Sequence, residues 1–311
     1  MPNTEKGLYM KEYPPRIAAI HDLSCFGRCA LTVVIPTLSV MGYQTVPIPT
    51  ALLSTHTGGF DDLHFCDLTS HMEAISAHLR RLGVTFRAVY TGFLGSAAQI
   101  DTVSHFLDTF GPIPDESGQT PLVLIDPVMG DDGVLYSTYT DELVEGMRHL
   151  SARAQLLTPN LTEACFLTDT PYRNTAEMTE AEAADFLAVL LQKLSALTAG
   201  DIVITGAHLP NGMLCNAGRE RNGRLFTVCR PHVGHAYPGT GEIFASVLLG
   251  ALLDGASFSD ACARAADFVS TVIEGSSKID EPIRNGVALE SYLHLLATQE
   301  NTDKQRERSE R

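Results

Sequence analysis

The chain has 311 residues, 44% of them hydrophobic, and a net charge of −15 from 22 Lys and Arg against 37 Asp and Glu. That length holds one large α/β domain or two small ones, and an acidic balance with no basic patch among aromatics argues against nucleic acid as a partner. No apolar run at the N-terminus reads as a signal peptide, no stretch reaches membrane-spanning length, and seven scattered Cys suit a reducing cytoplasm better than a disulfide framework.

Residues 1–15 are polar, end in Pro14-Pro15 and read as a loose leader. Arg16–Ile20 is a short apolar strand, Ala30–Met41 a helix interrupted by Pro36 and stopped by Gly42, and Thr45–Pro49 a short β-like run. The nearby His21, Cys25 and Cys29 have no second ligand pair and read as ordinary packing. Leu68–Leu82 is an amphipathic helix, Ala88–Leu94 a strand and Ser96–Phe110 a helix. Leu122–Val128 is the clearest strand, continuously apolar as a central parallel strand is. Tyr139–Leu150 is a helix and Gln155–Leu157 a short strand. The helix from Thr179 to Leu197 opens on a capping box of Thr179 and Glu182. Asp201–Thr205 is another apolar strand. Asn222-Gly223 signals a hairpin into Leu225–Cys229, with Asn211–Gly223 read as a flap that excludes water. Helices Glu242–Asp254 and Ser257–Glu274 close the core. Residues 298–311 are charged and read as a tail, which leaves one domain over 16–297. Alternating strands and helices of this kind make a mostly parallel sheet covered on both faces, with ligands at the carboxyl ends of the strands.

Polar residues gather where those ends fall. Pro238-Gly239-Thr240-Gly241-Glu242 is a Gly-rich turn feeding a helix. Its free N–H groups at the positive end of the helix dipole make an anion site, and the carboxylate of Glu242 sits on the first turn as a proton acceptor. A phosphoryl transfer to an alcohol needs that pairing; the competing reading is a capped core helix whose Glu242 only complements the dipole. Asp126-Pro127-Val128-Met129-Gly130-Asp131 ends the best strand, and its two acids can hold Mg²⁺ directly or through water, or Asp126 caps local N–H groups. Thr158-Pro159-Asn160-Leu161-Thr162-Glu163 reads both as a capping box and as a nucleotide and metal contact. Ser54-Thr55-His56-Thr57-Gly58-Gly59-Phe60 is a polar loop suited to a small molecule. No Gly-x-x-x-x-Gly-Lys-Ser/Thr occurs, so a nucleotide would be held by backbone dipoles and metal.

In this order and spacing the motifs resemble the ribokinase-like superfamily: Asp-Pro-Val-Met-Gly-Asp, Thr-Pro-Asn-x-x-Glu-Ala, Ile-Thr-Gly and Gly-Thr-Gly-acid. Ser-x-His-Thr-Gly and Arg230-Pro231 look like pyridoxal/pyridoxamine kinase, over roughly residues 16 to 290. The resemblance implies phosphorylation of the 5′-hydroxymethyl of a B6 vitamer by Mg·ATP, in a cytoplasmic homodimer. It assigns Asp22, His56, Thr57, Gly58 and Phe93 to the vitamer and Glu242 to the catalytic base that also meets the substrate. Gly239, Thr240 and Gly241 become the anion hole. Asp126, Asp131, Thr158, Asn160, Glu163, Thr205 and Arg230, Pro231, His232 and Val233 fall on the nucleotide, and Asp126 and Glu163 on Mg²⁺. Three departures stand out. Glu242 replaces the usual Asp, and a methylene moves a carboxylate by about 1.5 Å where a 1 Å misplacement costs on the order of 10²-fold. Asp22 replaces a serine and favours a cationic ring or the amine of pyridoxamine. Thr205 stands where some members carry a lysine. The rival readings are a hydroxymethylpyrimidine kinase and a non-catalytic B6-binding protein.

Overall fold

The structure, a computed structural model, describes residues 13–297; residues 1–12 of the expected leader and the whole 298–311 tail lie outside them. In chain order come β1 (Arg16–Phe26), α1 (Leu31–Val40), β2 (Gln44–Thr55), β3 (Phe65–Asp67), α2 (Thr69–Arg81), β4 (Ala88–Thr91), α3 (Ala97–Phe110), β5 (Leu122–Ile125), β6 (Gly130–Asp131), β7 (Val134–Leu135), α4 (Asp141–Ser151), β8 (Leu156–Leu157), α5 (Leu161–Leu167), α6 (Glu180–Leu197), β9 (Asp201–His208), β10 (Met213–Arg219), β11 (Leu225–Pro231), α7 (Thr240–Leu253) and α8 (Phe258–Ser276), followed by single 3₁₀ turns to Leu296.

Nine strands form one sheet in the order β11-β10-β9-β8-β5-β4-β1-β2-β3. β1, β2, β4, β5, β8 and β9 run parallel, while β3 and β10 run antiparallel to their neighbours. Alternation along each strand feeds two cores. Ala18, Ile20, Val89, Ile125 and Ile204 face α2 to α6. Ile17, Ala19, Tyr90, Leu124 and Val203 face α1, α7, α8 and the C-terminal turns. Residues two apart share a face of a strand, so each strand serves both layers. α7 is buried from Ile243 to Ala251, which fixes its N-terminus at the strand ends.

Four expectations need correction. Asn211–Gly223 is not a flap: Met213–Arg219 is β10, hydrogen-bonded between β9 and β11. β1 and β2 run on to Phe26 and Thr55, so the polar loop begins only at His56. α1 continues through Pro36. Cys215 and Cys229, opposite each other on β10 and β11, form a disulfide, while Cys25, Cys29, Cys66, Cys165 and Cys262 are free.

Candidate active site

The start of α7 is built from backbone. Gly239 takes a φ of 83° and has no side-chain cap. The carbonyl of Arg28 occupies the place where a Cβ on Gly239 would lie, so only glycine fits the conformation and the contact. Thr240 Oγ1 donates to Tyr237 O at 2.9 Å and locks the turn. Gly241 is exposed and a Cβ on it would meet open space. The N–H groups of this first turn therefore open onto an uncluttered surface at the positive end of the helix.

Glu242, half-buried, accepts from the Ala30 N–H at 3.3 Å. Ala30 itself sits at φ 48°, an uncommon place for a residue with a Cβ. Burial raises the Glu242 carboxyl above the ordinary glutamate range, and hydrogen bonds from its own and the Ala30 N–H oppose part of that rise. A carboxylate shifted this way is a better proton acceptor near neutral pH.

Further acids crowd around it. Asp22, at 7% exposure, is pushed up to about 6 by burial and by the nearby Glu242 charge, against a hydrogen bond from Ser24 Oγ at 2.9 Å. Asp126, also buried, is raised well above the carboxylate range by burial and Glu242; the Tyr90 hydroxyl lies 3.5 Å from its Oδ2. Glu163 is raised by burial and by Asp126, although it accepts from Asn160 N at 2.7 Å and Met129 N at 3.1 Å. Buried carboxylates that raise one another mark negative charge without a counter-ion, a cation's electrostatic complement. No three His, Cys, Asp or Glu among the described residues form a ready cage. Mg²⁺ keeps waters and phosphate oxygens and takes few protein carboxylates, and the two buried acids Asp126 and Glu163, close enough that the charge of Asp126 raises Glu163, are the pair here with that chemistry.

The nucleotide candidates line the adjoining strand ends. Asn160 N-caps α5 in a full capping box with Glu163, and its amide donates to Gly130 O at 2.8 Å. Both readings of this motif therefore rest on the same two side chains. Thr205 joins Asn160 in a parallel bridge, with Thr205 N on Pro159 O at 2.8 Å. The hydroxyl of buried Thr158 has no partner among the described residues. Asp131 is exposed on the β6–β7 turn beside Asp132 and His208. Beyond Pro231, His232 packs edge-on against His208 at 4.6 Å, and Val233 is half-buried. Arg230 sits apart in one respect: its guanidinium is taken by Asp267 of α8 and by Cys229 O.

On the other side of Glu242, His56 Nδ1 accepts from Gly58 N at 3.1 Å, so its Nε2 carries the proton and donates to Arg284 O at 2.6 Å. Thr57 and Gly58 are exposed, and Phe93 is half-buried against the core. The sequence reading missed Ser24, Ala30 and Tyr90. Ser24 carried a signal, two residues from Asp22 on one strand and therefore on its face. Ala30 acts through its backbone, and Tyr90 across the sheet, and neither leaves a local mark.

An α/β sheet whose strand ends converge on an open helix start beside a carboxylate is the arrangement that phosphoryl transfer to an alcohol needs. A family model described as phosphomethylpyrimidine kinase matches residues 18–285. A Bacteroides thetaiotaomicron protein, provisionally named a phosphomethylpyrimidine kinase and crystallised with pyridoxal, is 40% identical with a TM-score of 0.82, over 91% of this chain and 96% of that one. Pyridoxal kinase from Lactobacillus plantarum is 29% identical with a TM-score of 0.80, over 91% and 96%. Pyridoxal kinase from Arabidopsis thaliana is 27% identical over 68% of this chain, which spans 66% of that relative's length. The chain belongs to the phosphomethylpyrimidine kinase family, within the ribokinase-like kinases.

Proposed function

We propose that this protein transfers the γ-phosphoryl group of ATP to the 5′-hydroxymethyl group of a B6 vitamer. The observation that carries the chemistry is Glu242 on the open first turn of α7, held by Ala30 N and ringed by Asp22 and Asp126. The vitamer assignment draws on the pyridoxal kinase relatives and on the 40%-identical neighbour crystallised with pyridoxal.

In this reading the vitamer lies between Phe93 and the loop of His56, Thr57 and Gly58, with Asp22 toward its amine or ring nitrogen. Glu242 accepts the hydroxyl proton as the oxygen attacks the γ-phosphorus and the bond to the β-phosphate oxygen breaks. The N–H groups of Thr240 and Gly241 receive the charge on the transferring group. Asp126 and Glu163 would hold Mg²⁺ through water or phosphate, where it neutralises charge on the phosphates. Thr158, Asn160, Thr205 and the segment from Arg230 to Val233 face the nucleotide, with Asp131 at its rim. A homodimer belongs to the same reading: Leu52 and Phe65 are apolar and exposed at the β2–β3 edge, as a covered surface is. So does a cytoplasmic site of action; among the described residues no helix is long and apolar enough to cross a membrane.

The test is a panel of pyridoxal, pyridoxine, pyridoxamine and hydroxymethylpyrimidine with Mg·ATP, read by mass spectrometry. A 5′-phosphate from any vitamer supports the proposal, and none from any vitamer rejects it. The family match, together with a 26%-identical Bacillus subtilis relative named hydroxymethylpyrimidine/phosphomethylpyrimidine kinase, makes hydroxymethylpyrimidine the second candidate, and phosphorylation of that compound alone would establish it. An inert protein that Glu242→Asp brings to life would instead be a binder that lost its base.

A further inference from the structure

Four stretches distant in sequence interlock beside Glu242. Gly239 presses on the Arg28 carbonyl. Arg28 N donates to Asn285 O at 3.2 Å, and its guanidinium pairs with both oxygens of Glu290 at 2.9 Å. Gly286, at φ 80°, packs on Arg28, and Gly27, at φ 90°, lies against the His56 ring. The 283–290 segment is itself anchored. Val287 and Leu289 are buried, and Ala288 N donates to Ser276 Oγ of α8 at 2.9 Å.

Arg284 reaches out of that fixed segment to the vitamer loop. Its backbone carbonyl takes the His56 Nε2–H, its guanidinium donates to Gly59 O at 3.2 Å, and the same group lies over the Phe60 ring at 5.1 Å. Phe60 in turn meets His56 edge-on at 5.0 Å and Phe26 at 5.9 Å. The loop has little else to hold it: Thr57, Gly58, Gly59, Asp61 and Asp62 are exposed. Its remaining ties, between Ser54 and His64, lie at its base.

We propose that Arg284 is a positioning residue: it latches the 56–60 loop to the C-terminal segment and so sets the wall of the substrate pocket beside Glu242. It touches no reacting atom. The inference rests on the kinase reading for its effect on substrate, and on geometry alone for the latch. A guanidinium supplying one charged hydrogen bond and one exposed cation–π contact predicts a change of about three- to thirtyfold.

Hydrogen exchange on the full, ligand-free chain reads the latch without any substrate. In Arg284→Ala the Gly58 amide, which donates to His56 Nδ1, is expected to exchange about three- to thirtyfold faster, with those of Val287 and Leu289 unchanged. Phe60→Leu is expected to give a similar change, and the double variant less than the sum of the two, as groups acting as one unit do. In kinetics with the vitamer, Arg284→Ala is expected to raise its KM by a similar factor while KM for ATP stays put, a split that general destabilisation does not produce. Unchanged exchange at Gly58 overturns the latch. Faster exchange with an unmoved vitamer KM overturns the positioning role. A wild-type protein that phosphorylates no vitamer counts against the kinase reading instead, and the exchange result still decides the latch.

Discussion

The Glu242 side chain spans from the first turn of α7 to the Ala30 N–H, which donates to its Oε1 at 3.3 Å. Glu242→Gln keeps an oxygen for Ala30 and removes the proton acceptor. Its kcat is expected to fall about 10²- to 10⁴-fold with little change in melting temperature; a rate within threefold of wild type would rule out Glu242 as the base. At Asp22 the sign of the pH effect follows from the raised pKa of about 6 against an ordinary 3.8. The folded state holds this proton more tightly than the unfolded chain. The resulting stabilisation is complete below pH 3.8 and is lost as pH rises through about 6. The ionised group then costs on the order of 3 kcal/mol relative to its neutral form. Asp22→Asn is therefore expected to stabilise the ligand-free protein at pH 8 and to be near neutral at pH 4, as urea unfolding at the two values would measure.

Among the elements, the turn into α7 separates fold from chemistry within three residues. Gly239→Ala forces a Cβ into the Arg28 carbonyl at a positive φ and is expected to cost about 2 kcal/mol or more, with loss of activity. Gly241→Ala meets no neighbour and gains helix propensity. It is expected to melt no lower than wild type yet to lose phosphoryl transfer, because the methyl fills the space beside the anion site; a fully active Gly241→Ala would place the phosphate elsewhere. Legibility followed the same division between local and distant causes. Both capping boxes, at Asn160 and Thr179, were readable because each is complete within four residues. β10 was not, because Asn216, Gly218 and the turns at either end break its apolar pattern, and only pairing to β9 and β11 makes it a strand. β2 runs past the expected end at Pro49 to Thr55. Its prolines are tolerated because β3 pairs only with Ala51–Leu53, which leaves one side of β2 unpaired at Pro47 and Pro49. The acids Asp126, Glu163 and Glu242 stand in local motifs, whereas the approach of Tyr90 to Asp126 and of Arg284 to Gly59 and Phe60 is one that no window of sequence displays.

At the level of the whole molecule, a charge of −15 sits on a chain that also gathers Asp22, Asp126, Glu163 and Glu242 at one end of its sheet. Self-repulsion of this kind weakens a compact state and slows the approach of an anionic nucleotide. Raising NaCl from about 20 to 200 mM, which shortens the screening length from roughly 20 to 7 Å, is expected to raise the melting temperature of the ligand-free protein. A flat or falling curve in differential scanning fluorimetry would contradict it. One feature of α5 reaches further. Glu163 closes the helix cap on Asn160 and also binds Met129 N, while Asn160 holds Gly130. A lineage drifting toward lost activity can therefore discard Glu242 and still accumulate in the cell, but it cannot discard Glu163 so cheaply. Degenerate copies of this gene should keep the α5 cap long after the α7 acid has gone.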